Sequence, residues 1–516
     1  MRRLLLILMV LFIAAPAHAE WWEARTEHFI IYSEDSERAT RAFATELERY
    51  DHALRSLQTA KFEPIKSDSQ RVTIFRFGDV EDMSRLAHAS GVAGFYKPQM
   101  YPVAFTPVRK GMRLGSIARR DSRTDLDPKS VLFHEYAHHF MFQNFPAAYP
   151  SWYIEAFAET VATIVLNDDG SFHLGNPPQY RSDALFGSMM LVTPQRLLAS
   201  TNKPDGEDFY GWYTVGWLMN HYLTFSPNRK GQLETYLRLV NKGMDSAPAA
   251  KQAFGDLDAL GSEIGRYKTS GKLGGYNVRP GTKPNLQVAM RKLGPDEEAI
   301  MRTKMRSKAG ITRSERGDVA ADARGVAAKY PNSHAVNLAL TEAELDAENL
   351  AAAEAAADRA IRANPDSVEA HFWKGHVLLE RGKKEKQYLA PARMHLAKAH
   401  DIDGYDPAPL VDNYLTYYYE GGAIPESAII GLEQAYDRAR QDTDLRLVLA
   451  RQLLAEKKGP LARDILLPLG LNPHESKAKK TMRGIIELID AGKVDEAYKK
   501  LASEMLKAEQ EAKKGS

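Results

Sequence analysis

Val131-Leu132-Phe133-His134-Glu135-Tyr136-Ala137-His138-His139-Phe140 contains the pattern His-Glu-x-x-His, with Asp127-Pro128 just ahead of it. Aspartate caps helix N-termini and proline suits the first turn, so the spacing predicts that the pattern lies inside a helix. At about 3.6 residues per turn, His134 and His138 project from one face about one turn apart, as two imidazoles sharing a zinc ion must. Glu135 is rotated off that face and can reach a water on the metal rather than the metal itself. His139 points elsewhere on the helix and reads as packing or surface.

The next helix decides whether the pair has a partner. Tyr149-Pro150-Ser151 ends one helix and caps another, and Trp152-Tyr153-Ile154-Glu155-Ala156-Phe157-Ala158-Glu159 follows. A catalytic zinc usually takes three protein ligands and keeps one position open. Glu155 offers the third, on a helix that a short turn folds back against the first. Glu159 lies on the same face. It either accepts a hydrogen bond from the free ring nitrogen of a ligating histidine or is a solvated helix glutamate.

This pair of helices resembles the gluzincin metallopeptidases, the group of thermolysin-like and aminopeptidase-N-like enzymes. Trp152–Thr160 is similar to the Asn-Glu-Gly-Phe-Ala helix of the aminopeptidase side, with Ile154 in place of Asn and Ala156 in place of Gly. The Asn departure removes a polar group and argues against specificity for a free amino terminus. The likeness is concentrated in Ser130–Val165. It implies an α+β zincin-like peptidase domain with Zn2+ as cofactor, with His134, His138 and Glu155 as ligands and with Glu135 as general base. A donor to the oxyanion is then expected in Asp208–Thr214 or the helix after it: Tyr210 first, Tyr213 second and His221 third. Aromatic core packing is the other reading of all three.

Around this centre the sequence reads as strands first and helices afterwards. Expected are a strand at His28–Ser33, an amphipathic helix at Ser36–Leu57, a strand at Val72–Phe75, a short helix at Val80–Ala89 and a strand at Tyr101–Val108. That last strand is expected as the edge to which an extended peptide could add. His28, His52, His173 and His376 have no acidic or histidine partner at metal spacing along the chain. Trp21, Trp22 and Trp152 read as core anchors. Residues 20–270 are thus assigned to the first domain, and the Gly-, Lys- and Pro-rich 271–310 to a bridging segment.

Residues 311–516 are Ala-rich and helical, and Tyr330-Pro331-Asn332-Ser333 recurs as Asn364-Pro365-Asp366-Ser367, a step of 34 residues. This resembles tetratricopeptide repeats. Ala353, Ala357, Ala360, Gly375 and Gly382 stand where paired helices pack closely, and an all-α helical-repeat solenoid is expected, with a non-repeating bundle as the alternative. Such an array implies a protein partner.

The 516 residues need two or three domains, and a net charge of +2 gives no argument for nucleic acid or anionic membrane. Arg2-Arg3, the apolar Leu4–Ala15 and Ala17-His18-Ala19 predict a signal peptide over residues 1–19, cleaved after Ala19, and hence a secreted or periplasmic protein. An uncleaved anchor is the alternative. With no cysteine in the chain, disulfides and thiol catalysis are excluded. The expected function is zinc-dependent hydrolysis of a polypeptide substrate. The competing expectations are an inactive scaffold acting through its repeats and a zinc hydrolase of cell-wall peptides.

Overall fold

The computed structural model describes residues 20–109, 127–179, 192–199, 207–470 and 477–514. The expected signal segment lies outside these residues. Among them, no helix is long and apolar enough to cross a membrane.

The first part is mixed α/β. Its strands and helices run β1 (Trp22–Arg25), β2 (Phe29–Ser33), α1 (Glu37–Ser56), β3 (Val72–Arg76), α2 (Val80–Leu86), β4 (Phe95–Lys97) and β5 (Val103–Thr106). Then come α3 (Pro128–Asn144), α4 (Ser151–Ala162), β6 (Val165–Leu166), β7 (Phe172–Leu174), α5 (Pro194–Ala199) and α6 (Glu207–Phe225). Helices α7 (Gln232–Asn241), α8 (Ser246–Phe254) and α9 (Leu257–Thr269) precede β8 (Tyr276–Val278) and β9 (Ala289–Lys292).

Six strands form one sheet in the order β4-β5-β3-β2-β1-β9. The pairs β2–β3 and β3–β5 are parallel, and β4–β5, β1–β2 and β1–β9 are antiparallel. The strand expected at Tyr101–Val108 is therefore not the edge: it is the shorter β5, with β4 paired outside it. Gly94 makes this possible, because a Cβ there would stand 3.0 Å from the Phe105 carbonyl oxygen and 3.2 Å from Val131. The segment 271–310 does more than bridge. β8 pairs with β7, β9 closes the sheet against β1, and α10 (Pro295–Ala309) covers the sheet.

Apolar spacing sets the layers. Leu47, Tyr50 and Leu54 of α1 and Phe133, Ala137 and Phe140 of α3 are buried with Phe29, Ile31 and Ile74 on one face of the sheet. Met301, Met305 and Trp21 meet Phe75 and Phe105 on the other. A third core, around Trp152, Trp212, Trp217 and Tyr236, joins α4 to α6 and the helices after it.

The second part is wholly helical. After α11 (Arg316–Lys329) come α12 (His334–Asp346), α13 (Leu350–Ala363), α14 (Val368–Gly382), α15 (Leu389–Ile402), α16 (Ala408–Glu420) and α17 (Glu426–Arg438). The chain ends on α18 (Thr443–Ala455), α19 (Gly459–Gly470), α20 (Lys477–Asp490) and α21 (Val494–Lys514). From α12 onward they stack as successive pairs in a repeat-like array. Close packing is enforced by the glycines picked out in the sequence: a Cβ on Gly375 would lie 2.6 Å from Leu396 Cγ, and one on Gly382 2.3 Å from Leu389 Cδ2. The array folds back on the first part. Met100 and Ala148 are packed into its core, Tyr101 donates to the Asp406 carboxylate at 3.0 Å, and the Gln441 amide donates to Gln99 O at 2.9 Å.

Candidate metal centre

Helix α3 starts as the sequence predicts, with Asp127 accepting from Ser130 N and Pro128 in the first turn. Its apolar face is held by Tyr50, which stacks on Phe133 at 3.9 Å and donates to the Phe133 carbonyl at 3.0 Å. That fixes the rotation of the helix, and with it the direction in which His134 and His138 point. The turn at residues 145–150 returns the chain as α4. Trp152 anchors α4 from beneath by donating to the Tyr236 hydroxyl at 3.0 Å. Ala158 and Val161 enter the first core, while Glu155 and Glu159 look toward α3 and are buried.

Three donor atoms converge between these helices. His138 Nε2 lies 3.1 Å from His134 Nε2, His134 Nε2 lies 3.2 Å from Glu155 Oε2, and His138 Nε2 lies 3.6 Å from the same oxygen. A tetrahedral ion with bonds of about 2.0–2.1 Å holds its ligand atoms about 3.3–3.4 Å apart. The donor set suits the ion as well as the spacing does. Two imidazole nitrogens and a carboxylate oxygen, all turned toward one point, are served together by a cation but not by a single proton. His138 Nδ1 is buried without a hydrogen-bond partner among the described residues, so the ring is not oriented by its outer nitrogen.

The surrounding charges act in the same sense. Burial pushes the Glu155 carboxyl up, but His138 and His134 outweigh it and hold the group well below the usual range. Burial pulls the His134 imidazole down, and the Glu155, Glu159 and Glu135 carboxylates more than offset it, for a net rise. Glu159 Oε1 stands 3.8 Å from His134 Nδ1, on the side of the ring away from the convergence point. Glu159 is buried and so is not a solvated helix glutamate. Glu135 is half-buried on α3 beside His134.

The remaining candidates separate. The side chain of Tyr210 lies outside the described residues, its backbone being in α6. Tyr213 is buried, with its ring centroid 6.5 Å from that of His134. His221 is structural: Nε2 meets the Gly175 carbonyl at 2.9 Å, Nδ1 meets the Tyr267 hydroxyl at 2.9 Å, and burial lowers it to about 4. His139 is packing, as expected. It is buried, its Nδ1 is 2.8 Å from the Tyr96 hydroxyl, and burial lowers it to about 3.

Of His28, His52, His173 and His376, two do have acidic partners among the described residues, in space rather than along the chain. His376 Nδ1 lies 2.6 Å from Asp412. His28 Nδ1 lies 2.8 Å from Glu48 Oε2 and 3.3 Å from Asp51 Oδ2, both on α1, in a cluster behind α3 that the sequence did not reveal. Separations of about 20 residues between a strand and a helix carry no pattern that could have announced it. No family model matches the chain, and no curated protein matches it.

Proposed function

We propose that the chain is a zinc-dependent peptidase of zincin-like fold, with His134, His138 and Glu155 as the metal ligands and Glu135 as general base. The observation that carries this reading is the convergence of two imidazole nitrogens and one carboxylate oxygen within 3.1–3.6 Å of one another. Zinc bound there supplies Lewis acidity at an open coordination position. Glu135 takes the proton of the attacking water and returns it to the leaving amine, which needs a carboxylate beside the ligands but outside their face of the helix. Glu159, 3.8 Å from the outer nitrogen of His134, would orient that ring by accepting from it once the ion is bound. Tyr213, with its ring centroid 6.5 Å from that of His134, is the candidate for donor to the developing oxyanion among the described side chains.

The substrate suited to this arrangement is an extended polypeptide. β4, the edge strand beside α3, offers the backbone groups to which such a chain adds as a further strand. The helical array, docked against the β4–β5 connection, supplies a second polypeptide-binding surface. The test is a broad peptide library with metal analysis in parallel. Wild type should hold about one zinc per chain and cleave. Glu135→Ala should keep the metal and lose cleavage by at least about a thousandfold. A wild-type protein that binds no zinc, or binds it and cleaves nothing in the library, ends the peptidase reading.

A further inference from the structure

The array does not end as it begins. Through its first pairs, α12 packs on α14 and α14 on α16, so the first helix of each pair lines one continuous face. At α18 this changes: besides its own pair partner α19, the helix packed against it is α21, the last described helix. α21 turns back over the face lined by the first helices instead of extending the stack. Its stripe Ala497, Leu501 and Met505 recurs every four residues and packs into the core built by Tyr414, Val448, Leu449 and Leu453. One further turn on, Glu509 reaches Lys383 at 3.4 Å, directly after α14. One helix thus spans from the fifth pair back to the second.

The face it covers is built for more than apolar contact. Tyr414, Tyr418 and Tyr419 of α16 line it. Lys383 lies over the Tyr419 ring at 5.0 Å, and Arg451 of α18 lies over the Tyr418 ring at 3.6 Å. Arg451 is 6% exposed, and no carboxylate pairs with it among the described residues. Its Nε and Nη2, the side-on edge that grips a carboxylate with two parallel bonds, are buried without an acceptor there. A buried guanidinium edge left unserved costs free energy that an apolar residue would not. It has a use if a carboxylate arrives.

We propose that α21 is a displaceable occupant of this groove, and that the partner which displaces it is an amphipathic helix of another protein. That helix carries an apolar stripe of four-residue spacing, a glutamate for Lys383 and an acidic residue for Arg451. α21 supplies the first two features, and no carboxylate of α21 is paired with Arg451 among the described residues. The proposal rests on the array being a polypeptide-binding element and is independent of the metal ligands.

The experiment uses the full chain and a fluorescent synthetic peptide of residues 494–511 as the probe. Leu501→Asp puts a charge where Leu501 is fully buried and ejects α21 while leaving the groove residues in place. Anisotropy should show the probe binding this variant at least tenfold more tightly than wild type. Adding Lys383→Glu should reduce that gain severalfold, and a probe with Glu509→Gln should reduce it less, because Lys383 is also paired with Glu380 at 2.6 Å. Equal binding by wild type and Leu501→Asp overturns the occupancy and leaves polypeptide binding standing. No binding by either, with helicity retained, overturns both. If Leu501→Asp fails to fold, hydrogen exchange on wild type decides. Amides of α21 that exchange at least tenfold faster than those of α18 support a displaceable helix, and equal protection shows a fixed part of the core.

Discussion

Among the described residues, two groups of side chains meet the same spacing test, three potential ligand atoms within 4.8 Å: His134, His138 and Glu155 between α3 and α4, and His28, Glu48 and Asp51 behind α3. Only their surroundings tell them apart. In the first, both Nε2 atoms and Glu155 Oε2 point at a common centre. In the second the carboxylates already have partners. Asp51 accepts from Arg55 at 2.5 Å and from the Tyr136 hydroxyl at 2.6 Å, and Glu48 accepts from the His28 backbone N–H at 2.8 Å. Two acidic groups face a guanidinium and an imidazole, which is charge balance reached with protein groups alone. Spacing therefore nominates both groups, and the Arg55 and Tyr136 hydrogen bonds that already engage Asp51 are what favour the first as the proposed metal site. Tyr136 joins the two, since it stands next to Glu135 on α3 while its hydroxyl is bound into the second cluster.

The largest expected difference is in metal content. His134→Ala or Glu155→Ala should reduce bound zinc from about one per chain to none by elemental analysis, since two ligands do not hold the ion against buffer. His28→Ala should leave it unchanged. Zinc lost from His28→Ala and kept by His134→Ala would reverse the assignment of the two groups. Next is stability. Asp51→Ala leaves a buried guanidinium and imidazole without their shared carboxylate and should cost about 3–5 kcal/mol in denaturant unfolding. A cost below about 1 kcal/mol would mean that the second cluster is not the ion pair described. Glu159→Gln is milder. It should weaken zinc affinity by about 10–100-fold in a competition titration with a chelator, through the orientation of His134. An unchanged affinity would make Glu159 a packing residue only.

How much of this was legible in the sequence follows from distance along the chain. His134, Glu135 and His138 share one helix, so their geometry is set by helical pitch and could be written down from spacing. Glu155 needed one tight turn, 145–150, and the two-helix pattern supplied it. The strands at His28–Ser33 and Val72–Phe75 and the α1 stripe were equally local. β1 and β9 were not, because four-residue strands with one polar face become strands only by pairing with each other and β2. β5 was mistaken for an edge for a related reason: the partner outside it, β4, is three residues long and needed Gly94 to fit. The His28 cluster and the return of α21 over the array are tertiary facts. Both depend on residues brought together from separate elements, and no periodicity records them.

The smallest effect tests whether the second cluster is ionic at all. Burial lowers the His28 imidazole, but Asp51 and Glu48 outweigh it, so its folded-state value stands above the ordinary 6.5. Asp51 goes the other way: burial raises it, and His28 and Arg55 pull it below its ordinary 3.8. A raised imidazole stabilises the fold fully below its unfolded value and stops doing so as pH rises through the folded one. A lowered carboxylate stabilises above its unfolded value and stops as pH falls through the folded one. The two contributions overlap between about pH 4 and 6.5. His28→Gln should accordingly cost most in that window and progressively less as pH is raised above it. Thermal unfolding of wild type and variant across the range reads the difference directly. A gap that stays constant with pH would mean that His28 is a neutral hydrogen-bonding residue. The contrast between the two clusters would then rest on Arg55 and Tyr136 alone.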